Sequence, residues 1–223
     1  MNIFRDREDA GRQLAAGLQR EHLSGDIVVL GLPRGGVPVA YQVAEALSAP
    51  LDVLIVRKLG APFNRELAVG AIASGGVAIY NTRLLAQLGL SEADVEPIRL
   101  REQAELERRT REYRGDSPFP DVRDKTVILV DDGIATGATM EAAVEAVRSL
   151  EPASVIVAVP TAARDSVIRI ERVADRVVAL STPEPYMAVG AWFESFPQVP
   201  DQEVVTLLRQ ARELSHPEPR ALQ

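Results

Sequence analysis

The chain has no cysteine. That removes disulfides, thiolate nucleophiles and cysteine-ligated zinc together. It has two histidines, His22 and His216, near opposite ends and outside any cluster. An imidazole metal site or a Ser-His-Asp triad therefore has almost no material. Aromatic residues make up 4% of the chain, and no apolar run reaches the ~18 residues of a membrane-spanning helix. The first residues are too charged for a secretory signal, so a cytoplasmic protein with no membrane partner is expected. A net charge of −7 argues against a nucleic-acid partner. There is no G-x-G-x-x-G and no Gly-Lys-Ser/Thr, which excludes the dinucleotide fingerprint and the P-loop. What remains is 223 residues, 46% of them apolar. That suffices for one α/β domain with a real core.

The richest stretch is Val-Ile-Leu-Val-Asp-Asp-Gly-Ile-Ala-Thr-Gly-Ala-Thr-Met, residues 127–140. Four apolar residues without alternation read as a strand buried on both faces. Asp131 and Asp132 follow at its carboxyl end, where open α/β sheets bind ligands. Two carboxylates can accept hydrogen bonds from a pair of sugar hydroxyls or meet a hydrated Mg²⁺. Gly133 and Gly137 permit tight turns. Ala135 and Ala138 leave room beside the main chain, and Thr136 and Thr139 add hydroxyls. The free N–H groups of the loop and of the next helix's first turn favour a phosphate. The plainer alternative makes Thr136 or Thr139 an N-cap and the acidic pair a turn support.

The string Val-Asp-Asp-Gly-Ile-Ala-Thr-Gly-Ala-Thr resembles the signature of the type I phosphoribosyltransferases. The resemblance implies binding of phosphoribosyl pyrophosphate (PRPP), with Asp131 and Asp132 on the ribose and Gly133, Ile134, Ala135, Thr136, Gly137, Ala138 and Thr139 around the 5-phosphate. It also implies Mg²⁺ near Asp131 and Asp132, held through water.

Other segments fit in order. Gly-Leu-Pro-Arg-Gly-Gly-Val, residues 31–37, joins a strand to a helix. Taken alone it is a βα turn, with Arg34 set beside the exposed amides of Gly35 and Gly36. In the family such a turn binds pyrophosphate, often through a strained peptide bond, and the sequence leaves open whether Arg34–Gly35 is cis here. Arg57 and Lys58 read as cations at the exit of the second strand. The family often places a basic residue near pyrophosphate there, so Lys58 and, less directly, Arg57 inherit that role. The catalytic candidates are thus Arg34, Lys58, Asp131 and Asp132. Residues 99–114 hold six arginines against four glutamates, which reads as a salt-bridged helix or as a lid closing over pyrophosphate. Residues 181–200 hold four prolines and several aromatics. They suit the family's hood, with Trp192 and Phe193 stacking on a base and Val189 near its edge.

Strands near 27, 52, 127, 154 and 177 predict a doubly wound α/β fold, with a mainly parallel sheet of about five strands flanked by helices. The strand at 51–56 would open a second βαβ unit, and 68–73 with 77–80 would form a hairpin. The whole chain reads as one domain, with a core at 25–180, a helical lid insertion at 82–120, a hood at 181–200, a helix at 201–214 and a frayed tail at 217–223. The implied activity is phosphoribosyl transfer from PRPP to a small nitrogenous base. Rival readings are a PRPP- or nucleotide-binding regulator without catalysis, and a generic Rossmann-type binder. A homodimer is one open assembly. In the hypoxanthine-guanine enzymes an Asp of this loop faces the base. Ala135 stands at that place here, so a 6-oxopurine acceptor handled by such an Asp is not expected.

Overall fold

In the computed structural model, residues 4–21 and 23–215 are described, with Glu66 and Ser215 as backbone only. His22, His216 and the tail at 217–223 lie outside them. Five parallel strands form the main sheet: β1 (Ile27–Gly31), β2 (Leu51–Val53), β6 (Thr126–Val130), β7 (Ser154–Thr161) and β8 (Arg176–Ser181), in the order β2-β1-β6-β7-β8. The register runs Val29↔Leu51 on one side of β1 and Val29↔Ile128 on the other.

The unbroken apolar runs of β1, β6 and β7 follow from helices on both faces. Val29, Ile128, Val130 and Ile156 pack into a core with α1 (Arg7–Leu18) and α2 (Gly36–Leu47). Their alternates Val28, Leu30, Val127, Leu129 and Val157 pack with α5 (Ala138–Arg148) and α6 (Arg164–Ile170). α1 opens on Asp6, whose carboxylate accepts from the Asp9 N–H at 2.8 Å.

One expected strand divides. The run at 51–56 leaves the parallel sheet after Val53 and crosses into a separate antiparallel sheet of β3 (Val56–Ala61), β4 (Asn64–Ala73) and β5 (Val77–Tyr80). Three antiparallel strands follow β2 before any helix, and β2 lies at the edge of the main sheet, so the expected second βαβ unit does not open there. Leu54 and Ile55 at the break are as buried as their neighbours, and hydropathy alone therefore gives no sign of it.

After α3 (Thr82–Gln87) comes the long helix α4 (Glu92–Arg114), opened by a capping box between Ser91 and Asp94. It is a packed element, with Val95, Leu106 and Tyr113 buried. Its arginines pair largely with glutamates of the same helix: Arg99 with Glu96, Arg101 with Glu102, and Arg108 and Arg109 with Glu105. Buried Arg114 instead meets Asp52 of β2 at 3.2 Å. The hood contains a 3-10 turn at Val189–Trp192, and α7 (Asp201–Ser215) follows it. No helix among the described residues is long and apolar enough to cross a membrane.

Candidate functional site

The acidic pair sits where β6 ends, and the loop after it is stitched in place on one side. Ile134 N–H donates to the Thr161 carbonyl at 3.0 Å, and Ala163 N–H donates to the Ile134 carbonyl at 2.8 Å. The loop carbonyls are taken up by α6. Ser166 Oγ donates to Ala135 O at 2.6 Å, and the Arg169 guanidinium donates to Thr136 O. Among the described residues, no acceptor takes the N–H groups of Ala135, Thr136, Gly137 or Ala138. Those amides lie at the start of α5, whose dipole adds positive potential. Gly137 has φ +76° and caps α5 with no side-chain bond. The N-cap reading of Thr136 and Thr139 therefore fails. Both threonines are exposed, as are Ala135 and Ala138. The result is an open anion seat made mainly of backbone.

The turn after β1 packs against the same pair. A Cβ on Gly35 would lie 2.0 Å from Asp132 Oδ2, and one on Gly36 would lie 2.6 Å from Val130 O and 2.8 Å from Asp131 Cα. Only glycine admits this approach. A cis peptide falls at Pro33–Arg34, one bond before Arg34–Gly35. The Arg34 guanidinium turns to Asp201 at 3.4 Å. Asp201 also accepts a hydrogen bond from the Tyr113 hydroxyl. Thus α4 reaches this turn through Tyr113 and Asp201, and no α4 arginine was found paired with the acidic loop.

Burial, then the charge of Asp132, pushes the Asp131 carboxyl well up from its ordinary value. Burial pushes Asp132 up as well, and Arg7 pulls it back. Arg7 Nε donates to Asp132 Oδ2 at 2.8 Å. Nothing in the sequence singles out Arg7, because it sits among Arg5, Asp6, Glu8 and Asp9 at an ordinary charged helix start.

Lys58 and Arg57 lie on β3, not at the mouth of the parallel sheet. Arg57 is committed to Glu102, with Nε donating at 2.9 Å. Lys58 is exposed and lines a cleft of about 450 Å³ with Asn81, Thr82, Arg83, Ala138 and Glu141. That cleft includes Ala138 and Glu141 of the first turn of α5, and Arg34 is not among its lining residues.

In the hood, Trp192 and Phe193 are 5% and 7% exposed and pack with Phe4 and Ala10. They form the hood's own core, so the stacking role expected of them is corrected. Phe4 closes that core from the other end of the chain, with its N–H donating to the Trp192 carbonyl at 2.9 Å. Val189 does face the loop, since a Cβ on Gly133 would come within 2.5 Å of its Cγ1. Beside it, Thr161 Oγ1 and the Tyr186 hydroxyl are buried, close to each other and without a well-formed hydrogen bond among the described residues. Burial raises the Tyr186 hydroxyl's pKa, the neighbouring Thr161 hydroxyl lowers it, and the charges of Asp132 and Asp131 add to the rise. Reading the sequence missed both residues.

No group of three or more His, Asp or Glu among the described residues could cage a metal. Two carboxylates still suit a Mg²⁺ that keeps its waters and takes most ligands from substrate oxygens.

A family model described as a phosphoribosyl transferase domain matches residues 2–190. The chain belongs to this family. A Mycobacterium tuberculosis protein, named only as a candidate phosphoribosyl transferase in two strains, is 46% identical over 212 residues. The match covers 95% of this chain and 47% of that protein, so the chain spans about half the length of the curated relatives it matches. The crystal structure of a Thermus thermophilus protein is 43% identical, with a TM-score of 0.86, over 93% of this chain and 98% of that one. The matched range includes the stretch at 127–140 that already stood out in the sequence.

Proposed function

We propose that the chain transfers the 5-phosphoribosyl group from PRPP to a nitrogenous base with release of pyrophosphate. One observation carries this reading: a backbone anion seat, two carboxylates and a cationic glycine turn meet around Gly35 and Asp132. In the reaction, the C1–O bond to pyrophosphate breaks, a C1–N bond to the base forms, and the base gives up a proton. The transition state resembles an oxocarbenium ion. It needs the leaving group's charge neutralised and the nucleophile held in line more than it needs covalent help.

The seat at 135–139 would hold the 5-phosphate. Asp131 and Asp132 would accept the ribose hydroxyls, and Arg34 with the Gly35 amide would receive pyrophosphate; the Gly36 amide, expected to be exposed, is buried and already donates to the Leu32 carbonyl at 3.0 Å. Bound Mg²⁺ would supply further charge neutralisation to the phosphate oxygens. Lys58, which shares a cleft with the first turn of α5, fits the phosphate end better than the leaving group. For the base, Val189, Tyr186 and Thr161 replace Trp192 and Phe193 as the candidates. Ala135 supports an acceptor other than a 6-oxopurine.

The test is pyrophosphate release from PRPP and Mg²⁺ across a panel of purine and pyrimidine bases. Release with one base class supports the transferase. If PRPP binds and no base supports release, the chain is a PRPP-binding module instead. Unchanged PRPP affinity in Asp131→Asn/Asp132→Asn would remove the acidic pair from the site. Turnover with hypoxanthine comparable to that with any other base would defeat the reading of Ala135.

A further inference from the structure

We infer that Arg7 is the built-in counter-cation of the acidic pair, a positioning residue that fixes Asp132 and ties it to the hood. The inference rests on the reading of Asp131 and Asp132 as ribose-binding carboxylates. Three contacts hold the guanidinium. Nε donates to Asp132 Oδ2 at 2.8 Å, Nη1 donates to the Pro197 carbonyl at 2.7 Å, and Cζ lies 3.7 Å from the centre of the Phe196 ring. The side chains of Arg7 and Asp132 are only 10% and 13% exposed.

The geometry is that of an oriented pair. A planar fork meets a carboxylate, a carbonyl and an aromatic face at fixed angles, while a lysine ammonium would keep the charge with less fixed geometry. Among the described residues, Arg7 is also the one cation that acts on either carboxylate. Two adjacent carboxylates of low exposure repel, and a fixed guanidinium removes one of the two net charges. Its contacts with Phe196 and Pro197 place that charge at the base of the hood, so Asp132 and the hood share an anchor from α1. A divalent ion approaching the free protein meets Asp131 and the outer edge of an Arg7–Asp132 pair, not two bare carboxylates. The protein alone is then a poor divalent-ion site.

The experiment is Mn²⁺ binding to the free protein, followed by electron paramagnetic resonance with no PRPP present. Arg7→Gln should bind Mn²⁺ about tenfold tighter than wild type, because a neighbouring positive charge is gone. Arg7→Lys should stay near wild type. The gain should vanish in Arg7→Gln/Asp132→Asn. PRPP affinity measured in EDTA should fall in Arg7→Gln and be partly restored in Arg7→Lys. A loss of folding does not strengthen Mn²⁺ binding, so this readout separates positioning from bulk structure. Mn²⁺ affinity equal to wild type in Arg7→Gln, or a gain that persists without Asp132, overturns the inference. If Arg7→Gln fails to fold, Phe196→Leu provides the test, since it removes the ring beneath the guanidinium. It should tighten Mn²⁺ by a smaller factor, and no change overturns the inference. The ion measurement needs neither PRPP nor a base. Should the acidic-pair variants leave PRPP affinity unchanged, the ribose-binding role of the pair fails while the ion result still judges Arg7.

Discussion

Arg34 and Asp201 are 167 residues apart in sequence, and the guanidinium Nη1 lies 3.4 Å from the carboxylate Oδ2. Asp201 opens α7 and also accepts from Tyr113 of α4. The cation proposed for pyrophosphate therefore already has an anionic partner, and the two anions compete. Asp201→Asn is expected to bind pyrophosphate about two- to fivefold tighter in low salt, the range for a partly exposed ion pair. The gain should shrink as salt screens the pair. Arg34→Gln should weaken binding. Isothermal titration with pyrophosphate checks both, and weaker binding by Asp201→Asn would show that Asp201 supports the turn instead.

Gly35→Ala places a methyl 2.0 Å from Asp132 Oδ2. Either the carboxylate or the turn has to move. Overpacking of this kind costs ~1–3 kcal/mol. PRPP affinity should drop more than the stability change alone explains. Urea unfolding alongside PRPP titration separates the two, and an unaltered PRPP affinity would contradict the close approach.

Trp192→Ala removes a buried indole from the hood and should cost ~3–5 kcal/mol in chemical denaturation. Trp192→Phe keeps most of the packing. It should leave the ranking of acceptor bases unchanged, while Tyr186→Phe or Thr161→Val should alter the KM for the base. A changed base ranking in Trp192→Phe would restore a stacking role for the indole.

Glu105 is held down to about 2 by its hydrogen bonds from Arg108 and Arg109. Its folded value lies below its unfolded one, so its contribution is present above the ordinary carboxylate range and is lost as pH falls toward about 2. Glu105→Gln should flatten this part of the acid limb of stability, read from urea midpoints across that window. An unchanged slope would mean the pairs on α4 do not contribute to folding.

The anion seat was legible because its parts are contiguous. Strand, acids, small residues and helix start follow one another within 127–148, and local rules suffice. The alternation of two cores through β1 and β6 was also implied by their unbroken apolar runs. Arg7 was hidden because its partner lies 125 residues away, and its neighbours look like any solvated helix start. The break after Val53 was hidden because Leu54 and Ile55 remain buried through it. Trp192 and Phe193 were misassigned because an aromatic in a proline-rich segment can face a ligand or a core. The decision came from Phe4, which the sequence gives no reason to bring there.

Ser166 and Arg169 hold the loop carbonyls back and leave main-chain amides forward. Amides do not ionise in any range where the fold survives. The grip on a phosphate should therefore track only the ligand's own second ionisation, near pH ~6 for a phosphate monoester. Whatever acidity profile the whole protein displays, this seat would behave as a pH-indifferent anchor around which the titrating groups do their work.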